Sequence, residues 1–246
     1  MSWHSLFSLV GMILGSLVSL RLARYLVKDD RVYPFAIAVV VSGLVGARIA
    51  HIVDNPGVYG GDVTKMIDLS RGGIGTMGAP IGSTVGGYLA CVALRLPKGF
   101  MFDITVIGIA LGEGIGRIGD IINGEHHSVA CSALPWCVRY TNPHTLGQST
   151  AVHPIGVYDA LLMFGVFVIL YAFWRRVRGR PPESRVYWAY LLLLGAGRFL
   201  QGFVRVEPLV AFGWTEGQIL SVVYMVAGAV MLLWLTAHDR ARVSAA

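Results

Sequence analysis

Seven apolar stretches, each about as long as a helix that crosses a bilayer, divide this chain at roughly 5–26, 33–53, 72–96, 102–122, 155–174, 186–206 and 218–236. About 20 apolar residues in a helix cover the ~30 Å hydrocarbon layer, and inside lipid only helices and closed barrels satisfy their own backbone. The composition agrees: 55% of residues are hydrophobic, 14% are charged and the mean hydropathy is +0.63, whereas soluble domains carry about 25% charged residues. The expected fold is all-α, a polytopic membrane protein of seven transmembrane helices forming one integral membrane domain over residues 1–246.

Orientation follows from the lysines and arginines, because short cytoplasmic loops retain positive charge. With the N-terminus outside and the C-terminus cytoplasmic, the inner side holds Arg21, Arg24, Lys28, Arg31, Arg95, Lys98, Arg175, Arg176, Arg178, Arg180, Arg185, Arg240 and Arg242. Only Lys65, Arg71 and Arg139 fall outside. The net charge of +6 is therefore mostly topology. The Arg175 to Arg185 cluster follows an apolar segment directly, so anionic headgroups rather than nucleic acid are its partner. The first segment has no basic residues ahead of it and several behind it, and reads as a retained helix rather than a cleaved signal.

Between the fourth and fifth stretches lies an extended outer loop, 123–153, holding His126, His127, Cys131, Pro135, Trp136, Cys137, Asn142, Pro143 and His144. Loops of this length are commonly functional, and this one suits a lid or substrate platform. An oxidising compartment permits a disulfide between Cys131 and Cys137, and equally leaves room for two free thiols. Cys91 reads as packing. Gly72, Gly73, Gly75, Gly78, Gly82, Gly86 and Gly87 recur along the third stretch, a pattern for close helix packing, with Gly72 to Pro80 dense enough to be an irregular turn at a cavity.

The polar residues within the apolar stretches carry the functional signal. Gly116 to Glu125 reads GRIGDIINGE and places Arg117, Asp120, Asn123 and Glu125 in and just beyond lipid-like sequence. An arginine at bilayer depth costs at least about 2.5 kcal/mol and survives only against a partner, a cavity or an anionic ligand. Arg48, Glu113, Arg117, Asp120, Arg198 and Arg205 come from the second, fourth and sixth stretches, all toward the outer side. Their convergence makes a cationic pocket. Internal ion pairing is the plain alternative, with Glu113 and Arg117 one turn apart and Arg48 or Arg198 against Asp120. Counted as a set, four arginines exceed the acids, and a phosphate would neutralise the surplus.

These residues resemble a family. Gly116 to Glu125 is similar to the GRxGNFxNGE signature of the bacterial prolipoprotein diacylglyceryl transferases. Further motifs follow in the family's order: Gly43 to Val53 (GLVGARIAHIV); Leu134-Pro135-Trp136 with Tyr140-Thr141-Asn142-Pro143; His153-Pro154 with Tyr158, resembling HPxQLYE; Arg198-Phe199 with Arg205, Glu207 and Pro208; and Gly217 to Ser221. The resemblance spans about 40–236. It implies that the diacylglyceryl group of phosphatidylglycerol passes to the lipobox cysteine thiol of a prolipoprotein signal peptide, with release of glycerol phosphate, the first step of lipoprotein maturation in the bacterial cytoplasmic (inner) membrane. It further implies catalytic roles for Arg117, Arg198 and Glu125, and phosphatidylglycerol contacts from Arg48, Arg117, Asp120, Asn123, Gly124, His153, Arg198 and Arg205. His153 has a structural reading too, at the start of the fifth stretch. No cofactor, metal or nucleic acid is called for.

Four departures from the family pattern bear on the chemistry. Where the family commonly has a histidine in an HGG turn as the base, this chain reads Met77-Gly78-Ala79. The asparagine of GRxGN is Asp120, the aromatic residue near the N-terminus is replaced by His4, and the glutamine of HPxQLYE is Gly156. One reading is an active transferase in which Glu125, His126, His4 or the departing phosphate accepts the proton. A second keeps the fold and lipid pocket for lipid binding or handling, or for another acceptor. A third, a small transporter with a midplane ion site, fits less well, since no internal repeat is present and the charges cluster toward helix ends.

Overall fold

The computed structural model describes residues 3–68 and 78–244. Among these are nine helices and one short hairpin: α1 (Trp3–Ala23), α2 (Val32–Asp54), α3 (Pro56–Tyr59), α4 (Val63–Ile67), α5 (Gly78–Ala93), α6 (Lys98–Asn123), α7 (Ile155–Val177), α8 (Arg185–Gly202), β1 (Leu209–Ala211), β2 (Trp214–Thr215) and α9 (Glu216–Ser244). Five of the helices, α1, α2, α6, α7 and α9, are long and apolar enough to cross a membrane. The described part of α5 has 16 residues, and α8 carries Arg185, Arg198 and Gln201 within its 18. Large apolar side chains such as Leu9, Ile13, Leu17, Ile37, Val41 and Val45 stand exposed along α1 and α2. Contiguous apolar surface of that kind calls for a non-aqueous neighbour. This is a membrane protein, and mostly helical.

The chain divides into two compact units, one holding residues up to Ser19 and from Phe102 onward, the other Leu20–Met101. In the second, α2 and α5 pack through small residues. A Cβ on Gly46 would fall on the backbone of Gly78 and Gly82, one on Gly82 on the Ser42 carbonyl, and one on Gly86 on the Ser42 side chain. The glycine series expected to serve packing does so from Gly78 onward. Gly78 to Pro80 already belong to α5, so the irregular turn expected there does not extend past residue 77. Residues 69–77, including Met77, lie outside the described residues. Arg31 holds the end of α5, donating to the carbonyls of Leu94 (2.9 Å) and Arg95 (3.3 Å) while its fork grips Asp29. That ion pair holds the exposed Asp29 carboxyl below its ordinary range.

In the first unit, α1 runs antiparallel against α6 along a seam of glycines. A Cβ on Gly11 would meet the backbone of Gly112, one on Gly15 that of Gly108, and one on Gly119 that of Trp3 and His4. Ser19 Oγ donates to the Ile104 carbonyl at 3.2 Å. Without side chains in the seam, the first turn of α1 rests directly on the last turns of α6. Gly195 and Gly228 bring α8 and α9 together in the same way.

Two helix starts are fixed by side chains. Thr215 and Gln218 form a reciprocal cap on α9: Gln218 N donates to Thr215 Oγ1 (3.2 Å) and Thr215 N donates to Gln218 Oε1 (3.1 Å). The start of α8 is capped from a distance, since buried Asp103 of α6 accepts from Ser184 N (2.9 Å) and Tyr187 N (2.8 Å). Replacing Asp103 by alanine leaves those amide donors without their carboxylate in a water-poor setting, a loss of about 1–3 kcal/mol. The D103A protein should therefore unfold at lower temperature in detergent than the parent, and an unchanged melting curve removes the cap from this account.

Candidate functional site

The GRIGDIINGE segment forms the last two turns of α6 and its exit. Gly124, at φ +70, takes the left-handed conformation that ends the helix, and Glu125 N donates back to the Asp120 carbonyl at 3.1 Å, the Schellman arrangement. A Cβ on Gly124 would also fall on Gly147 of the loop. The glycine thus reverses the chain so that Glu125 returns over the helix end, where it accepts from Asn123 Nδ2 (2.8 Å) and lies 3.4 Å from His4 Nδ1. Leu146 N donates to the Asn123 carbonyl (2.8 Å) and Tyr140 Oη to the Ile121 carbonyl (2.9 Å), so the outer loop lies on this exit. Burial raises the Tyr140 phenol above its ordinary pKa.

Arg117 is buried one turn earlier. Its Nη2 donates to Glu113 (3.0 Å), and its Nη1 donates to Asp120 (2.9 Å) and to Nε2 of His126 (3.0 Å). Asp120, 1% exposed, also receives a short hydrogen bond from His4 Nδ1. Glu113 does pair with Arg117, as the one-turn spacing anticipates. Neither Arg48 nor Arg198 is the partner of Asp120 expected from the sequence, because Arg117, His4 and His126 already surround that carboxylate.

The centre of the site is a residue the sequence reading passed over. Asp159, on the first turns of α7 and 2% exposed, is shared by three arginines: Arg205 donates to it through Nη2, Arg198 Nη1 lies 3.5 Å away and Arg117 Nη1 3.7 Å away. Glu207 adds a carboxylate 3.5 Å from Arg205. Each arginine therefore has at least one acidic partner, and the surplus positive charge counted from the sequence is not what the structure presents. What it presents is a dense set of fixed guanidinium forks with donors to spare. Among the described residues, Arg205 Nε is buried with no hydrogen-bond partner.

The loop holds this centre in place. Ser128 pairs with Arg205 as an antiparallel bridge, with Val129 N donating to the Val204 carbonyl (2.9 Å) and Val206 N to the His127 carbonyl (3.0 Å). Ser128 Oγ donates to the His153 carbonyl (2.5 Å), and His153 Nδ1 lies 3.3 Å from Tyr158 Oη, which accepts from Trp136 Nε1 at 2.8 Å. His153 thus sits at the start of α7 as part of the clasp between loop and helix. Cys131 and Cys137 form a disulfide within the loop. A small cavity lined by Glu125, His126, Tyr140, Gln148 and His153 opens where the loop meets the helix ends.

Arg48 belongs to the other unit. It donates to the carbonyls of Met66 (2.8 Å), Lys65 (2.7 Å) and Asp68 (2.7 Å), closing the C-terminal end of α4, and stacks over Tyr59. His4, Asp120 and Glu125 bring their ligand atoms within 4.8 Å of one another, a set able to hold a cation. Arg117 already engages the same Asp120 carboxylate, which sets a fixed positive charge beside that position.

Five membrane-length helices, in a chain that also holds a cluster of arginines on buried carboxylates, define a polytopic membrane protein. The prolipoprotein diacylglyceryl transferase model matches residues 1–234. The phosphatidylglycerol–prolipoprotein diacylglyceryl transferase of Clostridioides difficile is 28% identical over 98% of this chain and 94% of its own length. That of Gloeobacter violaceus is 29% identical over 95% and 88%, and that of Finegoldia magna 26% over 93% and 89%. The chain belongs to the prolipoprotein diacylglyceryl transferase family.

Removing Asp159 takes from buried Arg117 and Arg205 and the half-buried Arg198 the one carboxylate they share. An Asp159→Leu protein should lose about 3–5 kcal/mol of stability, the range for stripping one partner from a buried ionic cluster. Thermal unfolding in detergent reads this directly, and a melting temperature equal to the parent's shows that the arginines are held by other groups.

Proposed function

We propose that this protein transfers the diacylglyceryl group of phosphatidylglycerol to the lipobox cysteine thiol of prolipoprotein signal peptides, releasing glycerol phosphate. The observation that carries the reading is the gathering of Arg117, Arg198 and Arg205 around Asp159 with a donor on Arg205 left over, in a chain of this family. The thiolate is the nucleophile and starts from a thiol of pKa about 8.5. It attacks the glycerol carbon that bears the phosphate, and the C–O bond breaks toward phosphorus. Fixed guanidinium groups stabilise the charge that collects on the leaving phosphate without having to reorganise.

In this reading Arg117 and Arg198 are the catalytic cations, with Arg205 supporting. Asn123, Gly124 and Glu125 orient the headgroup, Glu125 also serving the reaction, while Asp120 and His153 complete the lipid's surroundings. The reading also takes residues 1–246 as one membrane domain with seven crossings, α5 and α8 completing the five membrane-length helices. The N-terminus and the 123–153 loop lie outside and the C-terminus in the cytoplasm of a bacterial inner membrane. The inner-side excess of arginine and lysine supports this orientation.

The test is to incubate the purified protein with phosphatidylglycerol vesicles and a lipobox peptide. Mass spectrometry should find the diacylglyceryl thioether together with free glycerol phosphate; lipid bound without product sinks the transferase reading. Arg117→Lys keeps the charge but loses the fork, and should lower the rate on the order of 10²-fold or more in a protein that still folds. A rate within a few-fold of the parent removes Arg117 from the reacting phosphate.

A further inference from the structure

We propose that His4 takes the proton from the acceptor thiol, with Asp120 as the carboxylate that orients its ring. The inference rests on the transferase reading. Two of the departures from the family pattern meet in space: His4, in place of an aromatic residue, and Asp120, in place of asparagine, are hydrogen-bonded to each other. The glycine seam makes this possible, since Gly119 allows the backbone of Trp3 and His4 to lie directly on α6 one residue from Asp120.

The geometry sets the tautomer. Both carboxylate contacts of the ring, to Asp120 and to Glu125 at 3.4 Å, fall on Nδ1. That nitrogen donates its proton to Asp120, which Arg117 also engages at 2.9 Å, and Nε2 is left as the acceptor. A buried carboxylate fixing one ring nitrogen so that the other works as a base is the arrangement that orients histidine in acyl-transfer triads. The side chain is 45% exposed, so Nε2 is reachable.

The other candidates at the site are engaged. Nε2 of His126 is wedged between Arg117 Nη1 (3.0 Å) and the Asp120 carboxylate (3.4 Å), so that nitrogen is taken up within the ion cluster. Tyr158 Oη accepts from Trp136 and has its own proton to give to His153 Nδ1, which puts the His153 ring proton on Nε2 and leaves it no lone pair, while the Glu125 carboxylate is bonded to Asn123 and lies against His4. Met77, where the family has its histidine, has no lone pair basic enough to serve.

The step balances within the reactants. Nε2 takes the S–H proton, the thiolate forms the C–S bond to the glycerol carbon, and the C–O bond to phosphate breaks with its electron pair on oxygen. The imidazolium then returns its proton to the departing glycerol phosphate.

Two lipobox peptides, one with cysteine and one with selenocysteine at the acceptor position, separate a base from a structural residue, because a selenol is already ionised at neutral pH. In His4→Gln the side chain can still donate to Asp120 but cannot act as a base. With phosphatidylglycerol vesicles, H4Q should turn over the cysteine peptide on the order of 10²- to 10⁴-fold more slowly than the parent, while the selenocysteine peptide stays within a few-fold of the parent rate. Equal loss on both peptides assigns His4 to the fold or the lipid and overturns the inference, as does an unimpaired rate with cysteine. A parent protein that modifies neither peptide overturns the transferase reading and this inference with it; an active parent beside an equally active H4Q overturns this inference alone.

Discussion

One buried carboxylate holds the site together. Asp159 is the point at which the guanidinium groups of Arg117, Arg198 and Arg205 meet, and these come from α6, from α8 and from the segment that follows α8. Three cations at this proximity repel one another by several kcal/mol in a medium of low dielectric, so a fixed anion among them is a condition of their coexistence. It also limits what they can do. Donors turned toward Asp159 are unavailable to a ligand, so in the proposed transfer an anionic headgroup meets only the donors the cluster leaves over, among which Arg205 Nε is buried and unpartnered.

The loop and the helix ends divide the labour around this centre. Gly124 turns the chain at the end of α6, the 127–129 segment pairs with 204–206, and Ser128 ties His153 to that ladder. Arg205 is consequently fixed from its backbone as well as through Asp159. The Thr215 and Gln218 cap does the corresponding work at α9, and the Gln218 side chain lies where a side chain at Gly202 would have to go. Gln218, from the Gly217 to Ser221 motif, thus packs α9 against the end of α8.

Much of this was legible in the sequence, and the misses have physical causes. The membrane-length helices followed from apolar length, and Arg117, Asp120 and Glu125 from their conflict with lipid. Asp159 breaks the same rule, an acid inside an apolar stretch, but it directly follows the His153 to Tyr158 clasp, and the arginines of its own helix, Arg175 and Arg176, lie in the last turn, several turns away. The pairing that reveals it is long-range. Asp103 was hidden for the same reason, its partners lying more than eighty residues away. The short helices α3 and α4 left no periodic signal, since four and five residues are too few. The cap at Thr215 was readable from the T-x-x-Q spacing alone, and the disulfide was open because proximity in sequence fixes neither geometry nor redox state.

The glycine seam between α1 and α6 carries a consequence for how such a site can change. A histidine at position 4 arriving first would be a half-exposed imidazole beside a neutral amide, an almost silent change. An aspartate at 120 arriving first would press one more carboxylate onto an Arg117 already shared between Glu113 and Asp159, with no new cation to meet it. In the present structure His4, Arg117 and His126 all meet the Asp120 carboxylate, so positions 4 and 120 are energetically coupled rather than independent.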